Sequence, residues 1–159
     1  MQQAIKTIKD IFGSRPLGWY TGRCSPNTRD LVFDDGGFLY DSDSYSDDLP
    51  YWEIRKKKKQ LIIPYTLDSN DMRFLTPQGF HNGEHFFNYL KDSFDCLYEE
   101  RHEGSKIMNI GLHCRIIGKP GRFPALKKFV DYIQSFSDVW FTTRIGIARH
   151  WRKVLPHEK

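Results

Sequence analysis

The chain has 159 residues, enough for one domain, and 39% of them are hydrophobic and 15% aromatic; that content supplies a packed core and excludes an intrinsically disordered chain. No apolar run approaches the roughly 18–20 residues a membrane helix needs, and Met1-Gln2-Gln3-Ala4-Ile5-Lys6 lacks the apolar stretch of a secretory signal. The net charge is only +4, and the three cysteines, Cys24, Cys96 and Cys114, are too far apart for a disulfide framework or a paired-cysteine zinc site, which points to a reducing, cytoplasmic compartment.

Short apolar runs alternate with amphipathic stretches, the pattern of β-α units around a parallel sheet. Ile5, Ile8 and Phe12 fall at helical spacing, and Gly13 and Pro16 stop that helix. Leu17 to Thr21 reads as a short strand. Ser25-Pro26-Asn27 caps a helix running to about Asp34, and Gly36-Gly37 ends it. Phe38-Leu39-Tyr40 and Leu61-Ile62-Ile63 read as buried strands, the second closed by Pro64. Phe86, Phe87, Leu90, Phe94 and Leu97 mark a helix from about Glu84 to Arg101, and Ile107 to Leu112 reads as a strand. Phe123, Leu126, Phe129, Val130 and Ile133 give the next helix. Val139-Trp140-Phe141 is expected as a fifth strand, and Ile145, Ala148, Trp151 and Leu155 stripe a closing helix. No internal repeat or second domain is visible.

The charge is unevenly laid out. From Asp30 to Glu53 every charged residue is acidic, and Arg55-Lys56-Lys57-Lys58-Lys59 follows directly. The basic run reads as a solvated loop rather than a nucleic-acid contact, because the neighbouring acids would repel phosphate.

In parallel β/α architectures the chemistry sits in the loops after the strands' carboxyl ends. Those positions hold Arg23 and Asn27; Asp41 and Asp43; Tyr65, Asp68, Asn70, Asp71 and Arg73; His113 and Arg115; and Thr142 and Arg144. A histidine with carboxylates and arginines, without metal-cluster spacing, suits general acid–base chemistry on a polar substrate. His113 ends the run Ile110-Gly111-Leu112 and is the leading candidate acid, set against a structural histidine held by hydrogen bonds. Asp41 or Asp43 is its expected partner, and Arg23 is a candidate for orienting a carboxylate, or else forms a surface ion pair.

Three motifs are set aside. Asp41-Ser42-Asp43-Ser44-Tyr45-Ser46-Asp47 begins like a calcium loop but lacks the glycine at its sixth position and has Trp52 where the bidentate glutamate belongs. His81-Asn82-Gly83-Glu84-His85 has its glutamate misplaced for a zinc-protease helix. Gly118-Lys119-Pro120-Gly121-Arg122 matches no phosphate-loop spacing and reads as a plain turn.

Several stretches together resemble a known family. They are Gly18-Trp19-Tyr20-Thr21-Gly22-Arg23-Cys24-Ser25-Pro26-Asn27, Tyr40-Asp41-Ser42-Asp43-Ser44-Tyr45, Asp47-Asp48-Leu49-Pro50-Tyr51-Trp52, the segment from Ile63 to Phe74 with its Pro64-Tyr65-Thr66-Leu67-Asp68 core, and Ile110-Gly111-Leu112-His113-Cys114-Arg115. They resemble the polysaccharide deacetylase (NodB-homology) family, and within it the allantoinase branch of purine catabolism. The resemblance implies an α/β fold, a partial distorted (β/α) barrel of about five parallel strands with flanking helices, formed by residues 1–159 as one domain. It implies hydrolysis of a carbon–nitrogen bond in a cyclic amide, with His113 protonating the leaving group. Asp41 or Asp43 would tune the histidine, and Arg23 would position the catalytic carboxylate. Asn70 and Asp71, with Tyr65 and Arg115, would line the substrate pocket.

The same resemblance implies no cofactor, a small ureide substrate, and no nucleic-acid or membrane partner. The family's first motifs, which carry the catalytic aspartate, belong before the arginine motif, and the residues preceding Arg23 supply no such set; Asp34-Asp35-Gly36 comes after it. The chain therefore reads as the C-terminal half of its family's domain, expected to form a homo-oligomer or to be completed by an N-terminal half. Two alternatives stand beside this reading: a metal-dependent sugar N-deacetylase acting on N-acetylated sugars, and a non-catalytic fragment or subunit.

Overall fold

A computed structural model describes residues 1–157, which divide into two compact units. The first contains Met1–Pro64 and the chain from Thr142 onward; the second is Tyr65–Phe141.

In the first unit, helix α1 (Gln2–Phe12) ends at Gly13, whose left-handed φ of 76° lets its amide bond back to Lys9. Strand β1 is reduced to Gly18–Trp19. Helix α2 (Thr28–Asp35) starts after Asn27 and closes on Gly36, the boundaries expected from the sequence. Strands β2 (Tyr40–Asp41), β3 (Tyr51–Arg55) and β4 (Lys58–Ile62) complete one sheet in the order β1-β2-β4-β3. β1, β2 and β4 run parallel and β3 is antiparallel to β4. Gly18 faces Tyr40 across the first ladder and carries no Cβ where the Tyr40 ring packs. The expected sheet of about five parallel strands is thus a mixed sheet of four.

The basic run is solvent-exposed, as expected, but it forms a hairpin rather than a loop. Arg55 ends β3, Lys58-Lys59 begin β4, and Lys56 and Lys57 form the two-residue turn between them, both with positive φ (48° and 66°), the backbone that a tight hairpin requires. Its charges are answered by acids: Asp30 receives Arg55 and Lys56, and Asp34 receives Lys58. Helix α6 (Arg144–Val154) begins on Thr143, whose hydroxyl accepts the Gly146 amide. Its Ala148, with Ile145 and Trp151, packs on Leu61, Ile63, Tyr40 and Trp52, while Ile5, Val32 and Phe38 form a second small core.

The second unit is built on helices α3 (Gly83–Glu99) and α5 (Phe123–Ile133). Asn82 caps α3 by accepting the His85 amide. Phe80, Phe86, Phe87, Leu90, Phe94, Ile117, Phe129 and Ile133 interlock as its core. At roughly 25 cal/mol per Å2 of buried apolar area, this aromatic cluster dominates the unit's stability. A 3-10 segment, Asp71–Leu75, and the four-residue helix α4 (Cys114–Ile117) were not expected. Two expected strands differ. Residues 107–112 contribute only a single parallel bridge, Gly111 to Asn70, and Val139-Trp140-Phe141 lies outside the sheet, with Trp140 60% exposed. Short apolar runs do not separate a strand from partly covered coil. No helix among the described residues is long and apolar enough to cross a membrane.

Candidate active site

His113 closes the 107–112 segment as the residue before α4. Its ring is held by a carboxylate of its own unit: Nδ1 faces Asp71 Oδ1 at 2.6 Å. Asp71, expected in the pocket lining, is fully buried, and its second oxygen accepts the backbone N–H of His113 at 2.7 Å and of Ile117 at 3.1 Å. One carboxylate therefore takes three N–H groups. It takes the His113 amide, which precedes the helix and lacks an intrahelical partner, shares the Ile117 amide with the His113 carbonyl, and holds the imidazole from behind. With Nδ1–H committed to Asp71, Nε2 is the nitrogen left to exchange protons, and the side chain is 28% exposed. The arrangement is that of an acid–base histidine oriented by a buried carboxylate, in which charge gained by the ring is balanced 2.6 Å away.

Local folding explains how Asp71 arrives there. Asn70 caps the 3-10 segment, accepting the Met72 amide through Oδ1, while its Nδ2 donates to the Thr66 carbonyl at 2.9 Å and to Tyr65 Oη at 3.3 Å. Asp71 N donates to the Gly111 carbonyl and Gly111 N donates to Ser69. A Cβ on Gly111 would run into Asn70 Nδ2 and Tyr65 Oη, so glycine is what permits this close approach. Tyr65, Asn70, Asp71 and His113 are thus bound into one constellation. Arg115 stands exposed on α4 and joins none of these bonds.

Asp41 and Asp43 form a separate buried cluster in the first unit. Arg29 Nη1 meets Asp41 Oδ2 at 2.9 Å and its Nη2 donates to the Asp43 carbonyl, while the Asp43 amide donates to Asp41 Oδ1. Burial raises the Asp41 carboxyl above its ordinary range; the Asp43 amide and Arg29 oppose that shift without cancelling it. Asp43 in turn accepts Trp19 Nε1 and the amides of Thr21 and Gly22. Cys24 is pushed up to about 11 by burial first and then by Asp43, so its thiol is a poor nucleophile. Arg23, expected to orient a carboxylate, is exposed; the arginine that grips carboxylates here is Arg29, which sequence reasoning passed over. Its position on α2 carried no signal, because only the fold brings it against Asp41.

Among the described residues no group of three or more histidine, cysteine, aspartate or glutamate side chains could hold a metal ion. His81 and His85 stand edge to face, 5.5 Å between ring centroids, without a third donor. The residues present do not fit the metal that a sugar deacetylase would need.

No family model matches the sequence. A curated Schizosaccharomyces pombe protein named as a polysaccharide deacetylase is 46% identical over 160 residues, which cover 91% of this chain and 50% of that protein. A crystal structure from Pseudomonas aeruginosa PAO1, also named as a polysaccharide deacetylase, superposes with a TM-score of 0.95 at 57% identity, over 99% of this chain and 53% of the other. The crystal structure of PuuE allantoinase gives the same TM-score of 0.95 at 56% identity, again over 99% of this chain and 53% of the other. The chain spans about half the length of the curated relative and of both structures. The α/β fold is that of the polysaccharide deacetylase structures, and these matches support the polysaccharide deacetylase family as the relationship of this chain.

Proposed function

We propose that this chain carries the acid side of an allantoinase-like site, one that hydrolyses a carbon–nitrogen bond in a cyclic amide such as allantoin. The observation that carries the reading is the His113–Asp71 pair, with Nδ1 fixed at 2.6 Å and the ring partly open to solvent. Water adds to the amide carbonyl, the tetrahedral intermediate collapses, and the C–N bond breaks only if the departing nitrogen gains a proton; His113 Nε2–H supplies it. Tyr65 and Asn70 hold the wall beside the histidine. In this reading the general base, which must remove a proton from the attacking water, comes from the further half that the longer relatives contain. The PuuE allantoinase likeness supports a ureide as substrate.

The test is allantoin ring opening by the chain alone and together with the other half of an allantoinase of this type. Turnover that is lost in His113→Ala and indifferent to chelator is the expected result. Turnover that survives His113→Ala overturns the assignment of the acid. The names of two relatives favour a second reading, release of acetate from N-acetylated sugars; acetate release that depends on an added divalent metal would establish it instead.

A further inference from the structure

The segment that delivers Asp71 is closed on itself by one arginine. The Arg73 carbonyl accepts the Phe80 amide at 3.0 Å and the Thr76 hydroxyl at 3.1 Å, and its own amide donates to the Asn70 carbonyl. Its guanidinium donates to the Asp68 carbonyl and to Asp68 Oδ1, and lies over the rings of Phe80 and Tyr89 at 4.8 and 4.6 Å. Tyr89, reaching from α3, donates its hydroxyl to the same Asp68 oxygen at 2.6 Å. Asp68 is exposed, so the ion pair contributes little to stability. What the cluster contributes is geometry. A planar guanidinium resting against two rings that touch each other and bonded to two oxygens of one residue leaves the chain from Asp68 to Arg73 little freedom, and Asn70 and Asp71 lie between those two residues.

We propose that Arg73, Asp68 and Tyr89 are positioning residues that hold the Asp71 carboxylate in register with His113 Nδ1. The catalytic consequence rests on the reading of His113 as the acid; the geometric one does not. None of the three touches the imidazole, so their effect passes through Asp71.

Arg73→Met keeps a long apolar stem against the two rings and removes the charge and the donors; Arg73→Lys keeps the charge without the planar fork. Tyr89→Phe deletes one oxygen and serves if Arg73→Met does not fold. The readouts are the downfield Nδ1–H proton resonance of His113 as a function of pH, and kcat and KM for ring opening. In Arg73→Met the resonance is expected to broaden or vanish, with kcat falling about 10- to 100-fold at nearly constant KM, the cost of a misplacement of roughly an ångström. Arg73→Lys should recover part of both. A folded Arg73→Met whose resonance and pH profile match the parent overturns the positioning role. If the parent combined with the other half of an allantoinase of this type turns over no cyclic amide, the functional reading fails, and the resonance alone still decides the positioning.

Discussion

Replacing Asp71 by asparagine isolates what the buried carboxylate does. The side chain keeps its shape but has one acceptor oxygen and an amide NH2 where the aspartate has two acceptors. The backbone N–H groups of His113 and Ile117 are fixed at the two ends of α4, 2.7 and 3.1 Å from the carboxylate, so the asparagine oxygen should turn to them and its NH2 should face the ring. His113 must then accept at Nδ1, which moves its proton to Nε2. Stability loses one charge-assisted hydrogen bond, about 1.5–3 kcal/mol, and two others weaken; a new neutral bond returns about 0.5–1.5 kcal/mol. The net expectation is a loss of about 1–3 kcal/mol, read from chemical denaturation. Turnover should fall about 100- to 10,000-fold, since the ring now has the wrong tautomer and no charge behind it. Nitrogen-15 shifts of the imidazole report the tautomer directly. An Asp71→Asn protein that keeps its proton on Nδ1, or that turns over like the parent, would refute the reasoning.

Gly111→Ala should cost about 1–3 kcal/mol and disturb Tyr65 and Asn70, because the added methyl has no room; denaturation and the Tyr65 ring resonances check this. Lys57→Gly should stabilise the hairpin by about 0.5–1 kcal/mol, as φ 66° is unfavourable for a side chain, and an unchanged or lowered midpoint would contradict it. Burial alone would raise Asp35, but bonds from Gln2, Arg15 and the Gly37 amide overcome it and hold the carboxyl below its ordinary range. That stabilisation is present above the ordinary carboxylate value of about 4 and is lost as pH falls through the depressed one. The stability gap between the parent and Asp35→Asn should therefore shrink in acid, and a gap that widens there would show the sign to be wrong. Tyr89 is raised chiefly by its bond to Asp68, so Asp68→Asn should bring its alkaline titration back toward about 10, followed by ultraviolet absorbance.

Elements with a strong local pattern could be read directly. Phe86, Phe87, Leu90 and Phe94 repeat at helical spacing and are the buried face of α3, and Gly36 closes α2 in the left-handed conformation glycine favours, whereas Asn27 precedes that helix without a side-chain cap bond. β3 escaped because its turn is Lys56-Lys57, which carries none of the Asn-Gly signal that marks a tight hairpin. α4 has only four residues, and the carboxylate that caps it lies 42 positions away. The same distance hid the histidine's partner. His113 stands out at the end of an apolar run, but Asp41, Asp43, Asp68 and Asp71 are alike in sequence. Only the bridge between Asn70 and Gly111 brings one of them behind the ring.

Because a single carboxylate bonds the His113 ring and also the amides of His113 and Ile117, the residues that bracket the α4 turn, the turn and the imidazole share one anchor. Amide hydrogen exchange at His113, whose N–H is held by Asp71, is therefore a gauge of that anchor. It can be followed with no substrate present, and any substitution or change of pH that moves the Asp71 carboxylate away from the turn should register there as lost protection.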